Sequence, residues 1–463
     1  MNFYFEAAKT LDRLDGKQGS IKGILSTLPE KDRKRTSALV IETLKYKSVL
    51  TDIINEAKLM KEERKKITSM SLALVLVHDL LLSGGIQAGD GPVKQAILRH
   101  KTRLHGELQK IKIRRGVQAN VDLAQSGHEQ AARIPRYVRV NTLKCSTEEA
   151  ITAFTSRGFS LESSLDTGKG LAIDEHIPNL LSFAPQTTFH DDPYYTTGKV
   201  ILQDKASCFP AVVLAPPAND DSFVIDATAA PGNKTSHLSA LMQNKGKLYA
   251  FERDKKRFLT LTAMISKAGC KNVEPINLDF LSVNPLDTKY AKVSHILLDP
   301  SCSGSGIVNR LDHLLGAEAE NDIDQEKRLH KLATFQLMMI KHAMQFPGVQ
   351  KIVYSTCSIH ATENEHVVRD SLNSDEAKRG RFLLAPEGEV LPKWRRRGIP
   401  DEMDSPTAAA SLIRCSPGED ATNGFFVSCF MRTSQKRGLS PYDDNTVPVK
   451  KIKRKKKGDS ITQ

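Results

Sequence analysis

Phe223-Val-Ile-Asp-Ala-Thr-Ala-Ala-Pro-Gly-Asn-Lys-Thr235 decides the fold. A short β-branched run stops on an acid and passes through small residues and a Gly/Pro turn. It then enters a helical pattern from Lys234 to Met242. The same strand–turn–helix order recurs downstream. Lys247-Leu-Tyr-Ala-Phe-Glu252 precedes a helix through Ala268, while Val273 to Asp279 and His295-Ile-Leu-Leu-Asp299 read as two more strands. A helical stretch from Asp322 to Met344 leads to Lys351-Ile-Val-Tyr-Ser-Thr-Cys357, and Gly424-Phe-Phe-Val-Ser-Cys-Phe430 supplies a late strand. This alternation predicts an α/β domain over residues 216–433 with a doubly wound, Rossmann-like sheet.

Upstream the texture changes twice. Residues 131–215 mix strand-like runs, Arg136-Tyr-Val-Arg-Val-Asn141 and Gly198-Lys-Val-Ile-Leu-Gln203, with a short helix from Thr147 to Arg157. They read as a small α+β module in which period two puts Arg136 and Arg139 on opposite faces. Residues 1–130 carry apolar side chains at helical intervals, as in Leu39-Val-Ile-Glu-Thr-Leu44, and read as a helical domain. Between Lys94 and Arg115, eight Lys or Arg stand against the single acid Glu107, which is either a solvated helix face or an RNA-contacting one. Residues 434–463 form a tail whose Lys450–Lys457 stretch holds seven basic residues, read as a disordered nuclear-localisation or RNA-contacting patch.

A chain of 463 residues with 67 Lys or Arg against 54 Asp or Glu has a formal charge of +13, which points to a polyanionic partner such as nucleic acid. The seven cysteines stand singly, so neither a zinc site nor a disulfide framework is expected, and a reducing compartment is. The apolar run Leu72–Leu82 is interrupted by His78-Asp79 and is too short to span a bilayer. A soluble intracellular protein, with no membrane contact, is the expectation.

The acids suggest a ligand. Asp226, Glu252, Asp279 and Asp299 each end a strand, where open α/β sheets bind ligands. Glu252 is placed to accept from a ribose diol and Asp279 lies near where an adenine edge would sit. Asn233 in front of Lys234 excludes a P-loop, and three spaced glycines are missing. A nucleoside with a cationic centre, S-adenosylmethionine, fits better than a dinucleotide. Cys357 then arrives at the same sheet edge, followed by Thr362 and Glu365 spaced as a capping box. A lone cysteine there would be read as packing; in this company it is a reagent.

Asp226-Ala-Thr-Ala-Ala-Pro-Gly-Asn-Lys-Thr, Leu298-Asp-Pro-Ser-Cys-Ser-Gly-Ser-Gly306 and Tyr354-Ser-Thr-Cys-Ser-Ile with Glu363-Asn-Glu365 resemble the Nop/Sun-domain RNA cytosine methyltransferases. Arg136-Tyr-Val-Arg-Val-Asn-Thr and Gln203-Asp-Lys-Ala-Ser207 match that family's pre-catalytic module, so the resemblance runs from about Ile134 to Met431. The wording looks closest to the branch of the fifth animal member, associated with large-subunit ribosomal RNA. The resemblance implies S-adenosylmethionine bound by Thr228, Ala229, Ala230, Pro231, Gly232, Asn233, Lys234, Glu252, Arg257, Asp279 and Asp299. It implies Cys357 as nucleophile, with Cys302 assisting release. It also implies ribosomal RNA within pre-ribosomal particles as partner, a nucleolar location in the nucleus, and a monomer. Three positions depart from the family pattern: Thr228 stands for a usual Cys, Ser301 for a usual Pro, and Lys205 for a usual acid.

The chemistry calls for these groups. Carbon five of cytosine is a poor nucleophile until a thiolate adds to carbon six, so Cys357 must ionise. Asp299 is a candidate to read the amino and ring-nitrogen edge, selecting cytosine over uracil. Cys302 either helps resolve the adduct or only packs in its loop. The target base must be unstacked, which favours single-stranded or opened RNA. Alternatives are the same chemistry on transfer or messenger RNA, or a catalytically silent assembly factor. A uracil methyltransferase would not be expected to pair cysteines on two strand ends.

Overall fold

The computed structural model describes residues 1–433, apart from 17, 20, 125–132, 163, 164, 166, 167, 186 and 309–321. The basic stretch Lys450–Lys457 lies outside the described residues.

The first 115 residues are helical, as their spacing predicts. Helix Met70–Leu82 is the centre of this part, with Leu72 through Val77 all buried. Ser69 starts it, its hydroxyl accepting the Leu72 N–H. The surrounding core, from Tyr4 to Leu123, closes on itself. No helix among the described residues is long and apolar enough to cross a membrane. The basic surplus after Lys94 is smaller than its sequence suggests, because distant acids fold back onto it. Arg99 pairs with Glu63 at 2.7 Å and Arg103 with Glu62 at 2.7 Å, while Arg114 and Arg115 stay exposed.

The second part is a five-stranded sheet of β1 (Arg136–Val140), β2 (Ser160–Leu161), β3 (Gly170–Ile173), β4 (Leu180–Phe183) and β5 (Val200–Leu202), in the order β2-β3-β4-β1-β5. Helix Thr147–Thr155 begins with a capping box between Ser146 and Glu149. Arg136 is exposed and Arg139 only 1% so, on opposite faces as period two requires. Among the described residues Arg139 has no carboxylate partner. Its Nε donates to Gln203 Oε1 at 2.8 Å, and its Nη2 to Ser236 Oγ at 2.9 Å in the adjoining domain. Burial pulls its guanidinium down to about 10.

The third part carries β6 (Phe223–Asp226), β7 (Lys247–Phe251), β8 (Val273–Ile276), β9 (Val293–Leu298), β10 (Lys351–Thr356), β11 (Phe382–Leu384), β12 (Ile413–Cys415) and β13 (Phe425–Arg432). The order is β11-β13-β10-β9-β6-β7-β8, with β12 also on β13. From β10 to β8 neighbours are parallel, and β13 runs antiparallel to β10. This is the doubly wound sheet expected, with an antiparallel edge. Its switch point lies between β6 and β9. One face packs Ile225, Ile296 and Tyr354 against helix Asp322–Met344. On the other, Val224, Leu297 and Val353 share a core with Ile134, Tyr137, Ile177 and Leu180 of the second part.

Two local expectations differ from the structure. Strand β8 stops at Ile276, because Asn277 turns over the end of β7 and donates to the Glu252 carbonyl at 2.7 Å. Asp279 therefore caps a short 3-10 turn instead of ending the strand. The Thr362–Glu365 capping box does not form. The helix begins at Glu365, whose carboxylate is taken by Arg414 at 2.6 Å.

Lys205, one of the three departures from the family pattern, has its own partner. It is 7% exposed, pairs with Asp174 at 2.7 Å, and lies 5.4 Å from the Trp394 ring centroid. Restoring an acid with Lys205→Asp would set two carboxylates together in a buried place. The expected loss is about 3 kcal/mol or more in denaturant unfolding, most of it recovered by adding Asp174→Asn.

Candidate active site

The crevice at the carboxyl ends of β6, β7, β9 and β10 opens into two adjoining cavities, of about 420 and 350 Å³. The first is lined by Glu252, Asp279 and Cys302, and the second by Ala229, Ala230, Pro231, Asn233 and Lys234. Thr228, Arg257, Asp299 and Cys357 border both. Gly232 borders neither. Its φ is +111°, and a Cβ there would sit 3.0 Å from Met264 Cγ, so its smallness serves packing against helix Lys255–Ala268. Asp226 is also turned inward, accepting the Thr235 hydroxyl at 2.8 Å, and burial raises it to about 6.

Glu252, Asp279 and Asp299 bring carboxylates to the first cavity. Glu252 is 5% exposed, and its Oε1 accepts the Asp254 N–H at 2.9 Å. Arg257 reaches across from the Glu252 carboxylate, at 3.4 Å, to the Ala230 carbonyl, at 2.8 Å. The loop after β6 is thereby tied to the end of β7. The thiols of Cys302 and Cys357 line the same cavity. Hydrogen-bonding acids and sulfur in one cavity suit a nucleoside joined to a cationic reactive centre.

Where the cavities meet, Asp299 is held from three sides. Its Oδ2 pairs with Lys234 Nζ at 2.7 Å, its Oδ1 accepts the Ser355 hydroxyl at 2.7 Å, and its N–H donates to Thr228 Oγ1 at 2.9 Å. Thr228, where the resemblance leads one to expect Cys, thus supplies a hydrogen bond. Lys234 also donates to Ser207 Oγ at 3.1 Å and lies 5.4 Å from the Phe425 ring centroid. Burial works to lower the Lys234 ammonium, but Asp299 and Cys357 outweigh it and the net direction is up. This cation is influenced by Cys357 as well as by Asp299.

Parallel pairing sets Tyr354 beside Leu298, so the loops after β9 and β10 emerge together. Cys302 Sγ and Cys357 Sγ are 3.1 Å apart. The hydrogen bond with Cys357, then burial, then the charges of Glu363 and Asp299 push the Cys302 thiol up. Raised in this way, the Cys302 thiol holds its proton. Among the described residues, no cluster of His, Cys, Asp or Glu suits a metal ion.

Three consecutive residues brace this arrangement, each on a different segment. Glu363 Oε1 accepts the Ser303 N–H at 2.9 Å. Asn364 accepts from Thr356 at 2.6 Å and donates to the Ser358 carbonyl at 2.9 Å, spanning Cys357. Glu365 holds Arg414. Gln336, the polar residue in the apolar run of helix Asp322–Met344, bonds Glu363 at 3.0 Å and the Ser301 carbonyl at 3.1 Å. Sequence reasoning missed it, although a buried Gln on an apolar helix face was the available signal.

Residues 211–431 match the family described as 16S rRNA methyltransferase RsmB/F. Residues 34–124 match the N-terminal domain, and 134–203 the ferredoxin-like domain, of NOL1/NOP2/Sun domain family member 5. A Schizosaccharomyces pombe protein named 25S rRNA (cytosine-C(5))-methyltransferase rcm1 is 44% identical over 92% of this chain and 91% of its own length. The chain belongs to the NOL1/NOP2/Sun-domain family. A Mus musculus member of that family, named 28S rRNA (cytosine-C(5))-methyltransferase, is 41% identical over 98% of each chain. A solved methyltransferase homologue from Pyrococcus horikoshii shares the fold with TM-score 0.53 and 22% identity, covering 81% of this chain and 99% of that one. As a NOL1/NOP2/Sun-domain methyltransferase the chain is an enzyme, and S-adenosylmethionine is its methyl donor.

Proposed function

We propose that this enzyme methylates carbon five of a cytosine in large-subunit ribosomal RNA through a covalent bond to Cys357. The names of the similar proteins support the substrate. The observation that carries the mechanism is the position of Cys357, bordering both cavities with the Cys302 sulfur 3.1 Å from it. S-adenosylmethionine supplies an electrophilic methyl group on sulfur. Glu252 would accept from its ribose, Asp279 would face the adenine end, and the Thr228–Lys234 loop with Arg257 would border the rest. Cys357 Sγ adds to carbon six of the base, which makes carbon five nucleophilic. The base, turned out of its stack, approaches from the second cavity, beside Asn423 and Phe425. Asp299, fixed by Lys234 and Ser355, keeps one lone pair on each oxygen for the cytosine amino group. When carbon five gives up its proton the carbon–sulfur bond breaks, and Cys302 can donate its S–H to the departing Cys357. Action within pre-ribosomal particles, as a monomer in the nucleolus, belongs to the same reading.

The test is methyl transfer from labelled S-adenosylmethionine to total RNA from cells lacking the enzyme. Label should appear as 5-methylcytosine in large-subunit ribosomal RNA. Label confined to transfer or messenger RNA would replace the substrate, and binding of cofactor without transfer would favour an assembly role.

A further inference from the structure

The geometry points to Glu363 as the positioning residue of Cys302, and through it as a determinant of how quickly methylated RNA is released from its covalent adduct. The inference rests on the reaction proposed above. Glu363 is fully buried, and both of its side-chain partners are neutral donors, Ser303 N–H and Gln336 Nε2. Among the described residues its second oxygen, Oε2, is buried without a hydrogen bond. A carboxylate in such a place is costly, and an amide would fill the same hydrogen bonds, so the charge needs a reason.

Cys302 supplies one. The two peptide groups on either side of it are held by one buried pair: Gln336 takes the Ser301 carbonyl, and Glu363 takes the Ser303 N–H. Tyr354 locks the pair, its hydroxyl donating to the Glu363 carbonyl at 2.5 Å and lying 3.1 Å from Gln336 Oε1. Glu363 therefore fixes where the Cys302 sulfur points, and its negative charge works to keep that sulfur protonated. Both matter in one step. As the adduct resolves, the C6–S bond breaks and its electron pair goes to Cys357 Sγ. The carbon-five proton passes to a solvent base while the ring double bond re-forms. A correctly aimed S–H at 3.1 Å stabilises the leaving thiolate.

The experiment compares wild type, Glu363→Gln, Cys302→Ala and the double variant on large-subunit ribosomal RNA from cells lacking the enzyme. It follows first-turnover methyl transfer and the lifetime of the RNA adduct on denaturing gels. Gln keeps the acceptor, removes the charge and sets an amide NH2 where Oε2 stands, and a thermal melt reports its folding. Glu363→Gln should lengthen the adduct lifetime roughly tenfold more than it slows the first turnover, the scale of one altered hydrogen bond to a charged group. In the Cys302→Ala background it should add nothing further. Equal slowing of both steps, or effects of the two changes that multiply, would reduce Glu363 to a structural brace. Wild type that transfers no methyl group would sink the underlying reading instead, a distinct result.

Discussion

Replacing Cys357 with alanine is expected to lower methyl transfer at least about ten-thousandfold, the range seen when a covalent nucleophile is removed. No other sulfur can take its place. Cys302 is close enough, at 3.1 Å, but its thiol is pushed up by Cys357, burial and two carboxylates, so little of it is thiolate near neutral pH. The variant should form no adduct, yet still bind cofactor, since Glu252, Arg257 and Asp279, the residues proposed to hold it, are untouched. Cys302→Ala should do the reverse: adduct forms and persists on a denaturing gel. An alanine variant at 357 that retains a tenth of wild-type transfer would refute the covalent route. The two outcomes together separate attack from release.

The next largest effect is expected at Lys234. Its ammonium pairs with Asp299 at 2.7 Å, and the charges of Asp299 and Cys357 hold its ionisation up despite burial, so it is a cation throughout the neutral range. A cation beside a thiol favours the thiolate. Lys234→Met removes that field while keeping most of the side-chain bulk. The thiol then ionises at higher pH, and the acid limb of the kcat/KM profile should move up by about one pH unit or more. Near neutrality the loss should be about tenfold for each unit of that shift, and it should shrink as pH rises. A loss constant across pH would mean that Lys234 acts only by fixing Asp299 or the cofactor loop.

Periodic features of the fold were readable because each is local. The run Phe223–Asp226, the turn at Pro231-Gly232 and the helix after it signal their shapes within about a dozen residues, and the structure follows. Asp279 shows where this fails: Asn277, reaching across to β7, ended β8 three residues early. Glu365 failed in the same way. Its spacing from Thr362 is right for a cap, but Arg414, 49 positions on, offers a stronger partner. In the site, the cysteines and acids were visible as residue types at strand ends. Their division of labour was not. Whether Lys234 serves cofactor or nucleophile depends on a 2.7 Å contact with a residue 65 positions away, and Gln336 gains its meaning only once its helix lies under the Cys302 loop.

Arg139 bears on how this protein can be rearranged. A guanidinium buried in one sheet spends its hydrogen bonds on Ser236 and Asn233, at the start of the helix that carries Lys234. The apolar core beneath is likewise shared across residues 131–215 and 216–433. A cut at Ala215 would strand a charge on one side and an apolar face on the other. The sheet of residues 136–202 is therefore no cassette to be traded between relatives on its own. Chimeras should work only when it travels with its own methyltransferase domain, whereas the helical first part, closed around its own core, is the piece that can be exchanged.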